Sequence, residues 1–114
     1  MATVTVSEPL FRWDGKYWGF LAGDDVYDRY GRHVGWLDGN DVYDRGGKFM
    51  GELMNRYYVL RNILRPEPIH LAPRPAVPFP TPPSPSPERQ ARTVLDGWSD
   101  ALPWPLPPPP PPRV

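Results

Sequence analysis

The first residues here with chemical potential are oxygen ligands gathered at turns. Asp24, Asp25 and Asp28 are followed by Asp38, Asn40, Asp41 and Asp44. Turns rich in carboxylates and amides can hold calcium. This spacing, however, matches neither an EF-hand loop nor the glycine-rich nonapeptide of calcium-binding β-rolls. Each Asp also has a structural use, closing a turn through nearby backbone or pairing with an Arg such as Arg29 or Arg45. His33 and His70 are the only histidines and there is no Cys, whereas a metal site of this kind takes three or four such ligands. His33 occupies a strand position that Tyr17 and Phe49 fill elsewhere, which points to packing. Before residue 81 the only hydroxyl nucleophiles on Ser or Thr are Thr3, Thr5 and Ser7. No nucleophile–base arrangement is legible. The expectation is a protein that is not an enzyme, with no catalytic, cofactor-binding or metal residue assigned.

Binding chemistry is better represented. Trp13, Trp18, Phe20, Tyr27, Trp36, Tyr43, Tyr57 and Tyr58 crowd the first 65 residues. Large rings serve either a small core or a binding surface. Simple alternation along the strands places Trp18, Phe20 and Trp36 in an outward column. That column would be an apolar patch needing a cover, either a second protomer or the chain's own tail.

The elements that must position these residues are set by a repeat. Residues 19–34 and 35–50 align without gaps, and Gly19, Leu21, Gly23, Asp25, Val26, Tyr27, Asp28, Arg29 and Gly31 are identical in the second copy. Stepping on by sixteen, Gly51, Leu53, Tyr58 and Arg61 keep the frame. Stepping back, Leu10, Phe11, Gly15 and Lys16 fall under Val26, Tyr27, Gly31 and Arg32. The reading is four units, about 3–18, 19–34, 35–50 and 51–66. Each unit is too short for two helices and has strand residues bounded by turn glycines. Strands are expected over about 4–6, 10–13, 16–22, 25–28, 32–38, 41–44, 48–54 and 57–61. Gly15, Gly31 and Gly47 supply positive φ at turns. Gly19, Gly35 and Gly51 lie inside strands, where glycine signals a close backbone approach. They are expected near a common axis, with Leu21, Leu37 and Leu53 in the core beside it. Val26, Val42 and Tyr58 are expected on one face of the short strands, and Tyr27, Tyr43 and Val59 on the other.

The run from Leu10 to Leu53 resembles the bacterial four-fold β-flower family. The likeness is carried by Trp13–Phe20 (WDGKYWGF), Val26–Trp36 (VYDRYGRHVGW) and Gly47–Leu53 (GKFMGEL), together with Gly97–Leu102 (GWSDAL) in the tail. It implies a small all-β domain with pseudo-four-fold symmetry and carries over no activity and no catalytic residue.

A second polymer follows the repeats. Of the 19 prolines, 18 lie after Arg65. Such a composition without a Gly-X-Y period marks a low-complexity segment. Residues 1–65 are therefore read as the folded domain and 66–114 as a disordered tail of polyproline II character. Pro108, Pro111 and Arg113 fit a generic PxxPxR pattern, which a six-proline run makes nearly automatic. Residues 94–102 interrupt the prolines, after a stretch around 88–95 that suits a helical turn. Ser99 or Asp100 would cap a short turn there. Leu95, Trp98 and Leu102 are the candidate docking residues. Two readings stand open: a motif read by another protein, or a latch on the chain's own β domain.

Charge narrows the partners. The chain carries 13 basic and 13 acidic residues, so it lacks the basic excess that phosphate backbones demand. No apolar stretch approaches the roughly 18 residues that span a bilayer. The N-terminal residues lack the pattern of a signal peptide, and with the lack of Cys this leads to an expectation of a cytoplasmic location. The functional expectation is a protein–protein interaction or scaffold module, with an unknown protein partner or self-association. The alternative is a small ligand, sugar or ion held near the pseudo-axis.

Overall fold

The computed structural model describes residues 7–77 and 82–108, and all regular secondary structure among them is β. The strands are β1 (Ser7–Phe11), β2 (Tyr17–Ala22), β3 (Asp25–Asp28), β4 (His33–Asp38), β5 (Asp41–Asp44), β6 (Phe49–Met54), β7 (Tyr58–Asn62) and β8 (Trp98–Asp100). Consecutive strands pair antiparallel from β1 to β7. β1 then meets β7 in parallel at Phe11 and Tyr58, which closes a seven-stranded barrel. β8 adds to the free edge of β7. The strand expected over residues 4–6, and Pro111 and Arg113 of the PxxPxR pattern, lie outside the described residues. Among the described residues no helix is long and apolar enough to cross a membrane.

Two kinds of turn alternate along the chain. β2–β3 and β4–β5 are joined by two-residue loops whose first residues, Gly23 and Gly39, have φ of +62° and +63°. That geometry matches the right-handed twist of the flanking strands. The other turns close with Gly15, Gly31 and Gly47 donating their N–H to the carbonyls of Arg12, Asp28 and Asp44. The acidic residues serve these turns. Asp28 Oδ1 accepts the N–H groups of Tyr30 and Arg32, and Asp44 Oδ1 accepts that of Lys48.

Each return strand contains a bulge. Leu10 pairs with Gly19 but Phe11 pairs with Tyr17, so Trp18 is the extra residue. The same slip leaves out Val34 opposite β3 and Met50 opposite β5. A bulge adds one residue and so reverses the in–out alternation beyond it. That corrects the faces expected from simple alternation. Trp18 joins Leu21 in the central cluster with Leu10, Val26, Val42, Val59 and Leu102, and Val34, Leu37, Met50 and Leu53 pack against it.

The intra-strand glycines also differ from their expected setting. A methyl group on Gly19 or Gly35 would lie 2.0 or 1.8 Å from the carbonyl oxygen of Tyr27 or Tyr43. These carbonyls belong to the hairpin partner strand, not to distant units meeting at an axis. At Gly51 the neighbours are Leu60 O at 2.7 Å and the Ala101 methyl at 2.9 Å, so the tail enters there.

The third hairpin departs from the sixteen-residue frame. Met54 pairs with Tyr58 across a three-residue loop, with Asn55 and Arg56 at φ of +50° and +68°. The extra residue moves Val59, not Tyr58, into line with Val26 and Val42. Val59 is in the central cluster, whereas Tyr58 packs outside with Phe11 and Tyr17.

Candidate binding site: the tail belt and the barrel seam

The seam of the barrel is where the tail enters the sheet. β1 reaches β7 only near Tyr57 and Tyr58, where Phe11 N–H donates to Tyr57 O at 2.7 Å. Further along, β8 takes the free edge of β7, with Leu60, Arg61 and Asn62 opposite Asp100, Ser99 and Trp98. Gly97 at φ +83° and a bond from Trp98 N–H to Leu95 O turn the chain into this strand. Asp100 then bridges back across the seam. Its Oδ1 accepts Trp13 N–H at 2.7 Å, and the Arg12 guanidinium lies 3.7 Å from Oδ2. Burial pushes the Asp100 carboxyl above its ordinary range, against the opposing pull of Trp13 N–H and Arg12. Beyond β8, Leu102 enters the central cluster with 1% exposure. Arg12 Nε donates to Leu102 O, and Trp18 Nε1 donates to Pro103 O at 2.9 Å.

Before the seam, the tail runs around the rim of the barrel. Leu71 N–H donates to Gly47 O at 2.8 Å, and Arg74 N–H donates to Arg45 O at 2.9 Å. At the turn of Gly15, 32 residues before Gly47, the same pair of bonds recurs. Arg89 N–H donates to Gly15 O at 2.8 Å, and Arg92 N–H donates to Trp13 O at 2.9 Å. In each clamp a tail carbonyl rests on the turn glycine. A methyl on Gly47 or Gly15 would stand 1.9 Å from Leu71 O or Arg89 O. In each, the second tail residue is an Arg over an indole. Arg74 lies 4.2 Å from the Trp36 ring centre and Arg92 5.1 Å from that of Trp13. Between the clamps, Val77 N–H donates to His33 Nδ1 at 3.0 Å, while His33 Nε2 faces Asp25 Oδ1 at 3.1 Å. An accepting Nδ1 places the ring proton on Nε2, aimed at Asp25.

The described tail is therefore not a free appendage, because the N–H groups of Leu71, Arg74, Arg89 and Arg92 find acceptors on the rim and Leu102 enters the core. The helical turn expected around residues 88–95 is absent for the same reason: Arg89 and Arg92 spend their N–H groups on the barrel. Ser99 and Asp100 lie in β8 rather than capping a turn.

Trp18, Phe20 and Trp36 do not form an outward column. They are 0%, 0% and 1% exposed. Trp18 is internal because of the bulge. Phe20 stacks on Tyr27, and Pro83 and Ser84 of the tail lie beside it. Trp36 packs with Tyr43, Phe49 and Leu71. Of the tail candidates, Leu102 is buried, while Leu95 and Trp98 are half-buried beside Trp13 and Leu60, where a cavity of about 130 Å³ remains. Sequence reasoning missed Leu71, Arg74, Arg89 and Arg92. Their signal was present as two non-proline pairs three residues apart, each ending in Arg, inside a proline-rich tail. It also missed His33 as an acceptor, although only His33 among Tyr17, His33 and Phe49 has a ring nitrogen. Among the described residues no three His, Cys, Asp or Glu side chains converge to hold a metal.

A family model described as 4-fold beta flower protein matches residues 2–104, which includes the belt and the latch as well as the barrel. No curated protein matches the chain, and no solved structure does.

Proposed function

We propose that this chain, which belongs to the 4-fold beta flower family, is a protein–protein interaction module whose barrel rim grips extended, proline-rich chains and whose own tail is the resident occupant. The observation that carries this reading is the duplicated clamp. Two tail segments of different sequence make the same two main-chain bonds at turns 32 residues apart, and each lays an Arg over an indole, supplied by Trp36 from β4 in one case and by Trp13 beside the turn in the other. Repetition of one contact set on unlike ligands is what a recognition surface produces. Extended proline-rich segments suit such a surface, because they lose little entropy on binding and leave their N–H groups and carbonyls unpaired.

The four-unit repeat belongs to this reading. Units that share a turn present the same carbonyl at regular intervals around the rim, so one extended chain can be gripped more than once. The central cluster of Leu10, Val26, Val42, Val59 and Leu102 fills the interior, which supports the rim over an internal site as the binding surface.

The test uses the full-length chain with Arg74→Ala and Arg92→Ala, which loosen both clamps while leaving the latch. Extended proline-rich peptides, including one of residues 66–77, are titrated against it by fluorescence anisotropy. Saturable binding supports the proposal, and binding of none of these peptides overturns it.

A further inference from the structure

We infer that the rim reads a specific extended ligand, an arginine-bearing segment with free N–H groups at positions i and i+3 and the arginine at i+3. This rests on the proposed role of the rim and names the chemistry it would select. At the Gly47 turn i is Leu71 and i+3 is Arg74; at the Gly15 turn they are Arg89 and Arg92. The residues between differ, Ala72 and Pro73 in one case and Gln90 and Ala91 in the other. The two N–H groups, the carbonyl of residue i against the turn glycine and the guanidinium are held in common.

The period has a physical cause. A polyproline II chain turns once every three residues and rises roughly 3.1 Å per residue. Residues i and i+3 therefore face the same side, about 9 Å apart, while i+1 and i+2 point elsewhere and tolerate proline. The rim matches that face. It offers a carbonyl at the turn glycine, a second carbonyl two residues earlier, and an indole. Trp36 serves the Gly47 turn and Trp13 the Gly15 turn. A proline at i or i+3 removes a donor. A side chain on Gly15 or Gly47 meets the ligand's own carbonyl 1.9 Å away, so the bare glycine face admits the chain. An indole attracts a guanidinium that stacks on its face more strongly than a smaller ring does.

The occupant in trans is thus an extended segment of another protein with this pattern, competing with the tail held in cis. A tethered segment enjoys an effective concentration in the millimolar range. Exchange therefore becomes visible once the cis segment is weakened at one clamp. The probe is a labelled, end-blocked peptide of residues 69–76, titrated against the full-length chain bearing Leu71→Pro and Arg74→Ala. It is expected to bind, with perturbation of Gly47 and Trp36 resonances. The same peptide with its own Leu71→Pro is expected to bind roughly three- to tenfold more weakly. The peptide with Arg74→Ala is expected to bind roughly two- to fivefold more weakly. Control peptides binding as well as the parent overturn the i, i+3 pattern and leave the rim as a general binder of extended chains. Binding by none of the three peptides overturns both. Hydrogen exchange on the unaltered chain keeps the inference exposed even if that variant fails to fold. The amides of Leu71, Arg74, Arg89 and Arg92 should exchange far more slowly than those of Ala72 and Ala91, and equal rates would refute it.

Discussion

The guanidinium of Arg74 lies 4.2 Å from the centre of the Trp36 ring, and the indole Nε1–H of that ring is buried with no hydrogen-bond acceptor among the described residues. The tail thus covers a ring that the strand pattern points outward, and covers it with a cation rather than an acceptor. Burying an unpaired donor costs about 1–3 kcal/mol. Trp36→Phe removes that donor and keeps a ring for Arg74. Its stability is expected to fall by less than about 1 kcal/mol, whereas Trp36→Ala should lose about 3–5 kcal/mol. Urea unfolding of both variants checks this. A Phe variant as damaged as the Ala variant would show that the indole N–H has a use.

Leu102 extends the core from the far end of the chain. It is fully buried with Leu10, Trp18 and Val59, and β8 precedes it on the edge of β7. Leu102→Ala is expected to lower stability by about 2–5 kcal/mol and to free the β8 amides for exchange. Val94, at 81% exposure, is the internal control, and Val94→Ala should change stability by under about 0.5 kcal/mol. Similar effects at the two positions in denaturant unfolding would contradict the latch.

Gly35 tests why the return strands carry glycine. An added methyl would lie 1.8 Å from Tyr43 O, a backbone atom that cannot rotate away. Gly35→Ala is expected to cost at least about 1–3 kcal/mol through overpacking. Gly46 has ordinary φ and meets only the Asp44 carboxylate at 3.3 Å. Gly46→Ala should therefore be nearly neutral. A thermal melt of the two variants separates a steric requirement from a general intolerance of alanine in this fold.

The all-β class was legible because Gly-bounded apolar runs of six or fewer residues leave little else. The three return strands fall within a residue or two of their expected bounds. Three things were hidden, each for a physical reason. A bulge at Trp18 is written in no residue type, since it is a mismatch between two strands. Alternation counted along one strand therefore sent Trp18 to the wrong face. The extra loop residue before Tyr58 shows only as the pair Asn55 and Arg56, one of which is an ordinary residue for a strand end. The belt was hidden by composition. Proline-rich sequence lacks an internal reason to fold, and here its partners lie on the barrel 24 or more residues away, at Gly47 and Gly15. The apolar stretch holding Leu95, Trp98 and Leu102, where the prolines are interrupted, gave the one clear hint.

Asp100 makes the latch sensitive to pH in an unusual direction. Its carboxyl is raised above the ordinary value of 3.8, with burial as the main cause. The folded chain therefore holds this proton more firmly than the unfolded chain does. The corresponding stabilisation is full below about pH 3.8 and is lost as pH rises through the higher native value. Asp100→Asn keeps an oxygen for Trp13 N–H and removes the buried charge. The variant should gain stability relative to the parent as pH climbs above about 3.8 and through the raised native value, where the parent ionises. Taking the difference between the two proteins cancels the titration of every other carboxylate. Asp100→Ala supplies the contrast, because it strands Trp13 N–H and should be weaker than Asp100→Asn by about 1 kcal/mol at neutral pH. Paired denaturant curves at several pH values decide the matter. A stability difference that stays flat or narrows with rising pH would mean that the Arg12 guanidinium, 3.7 Å from Oδ2, compensates the burial of this charge.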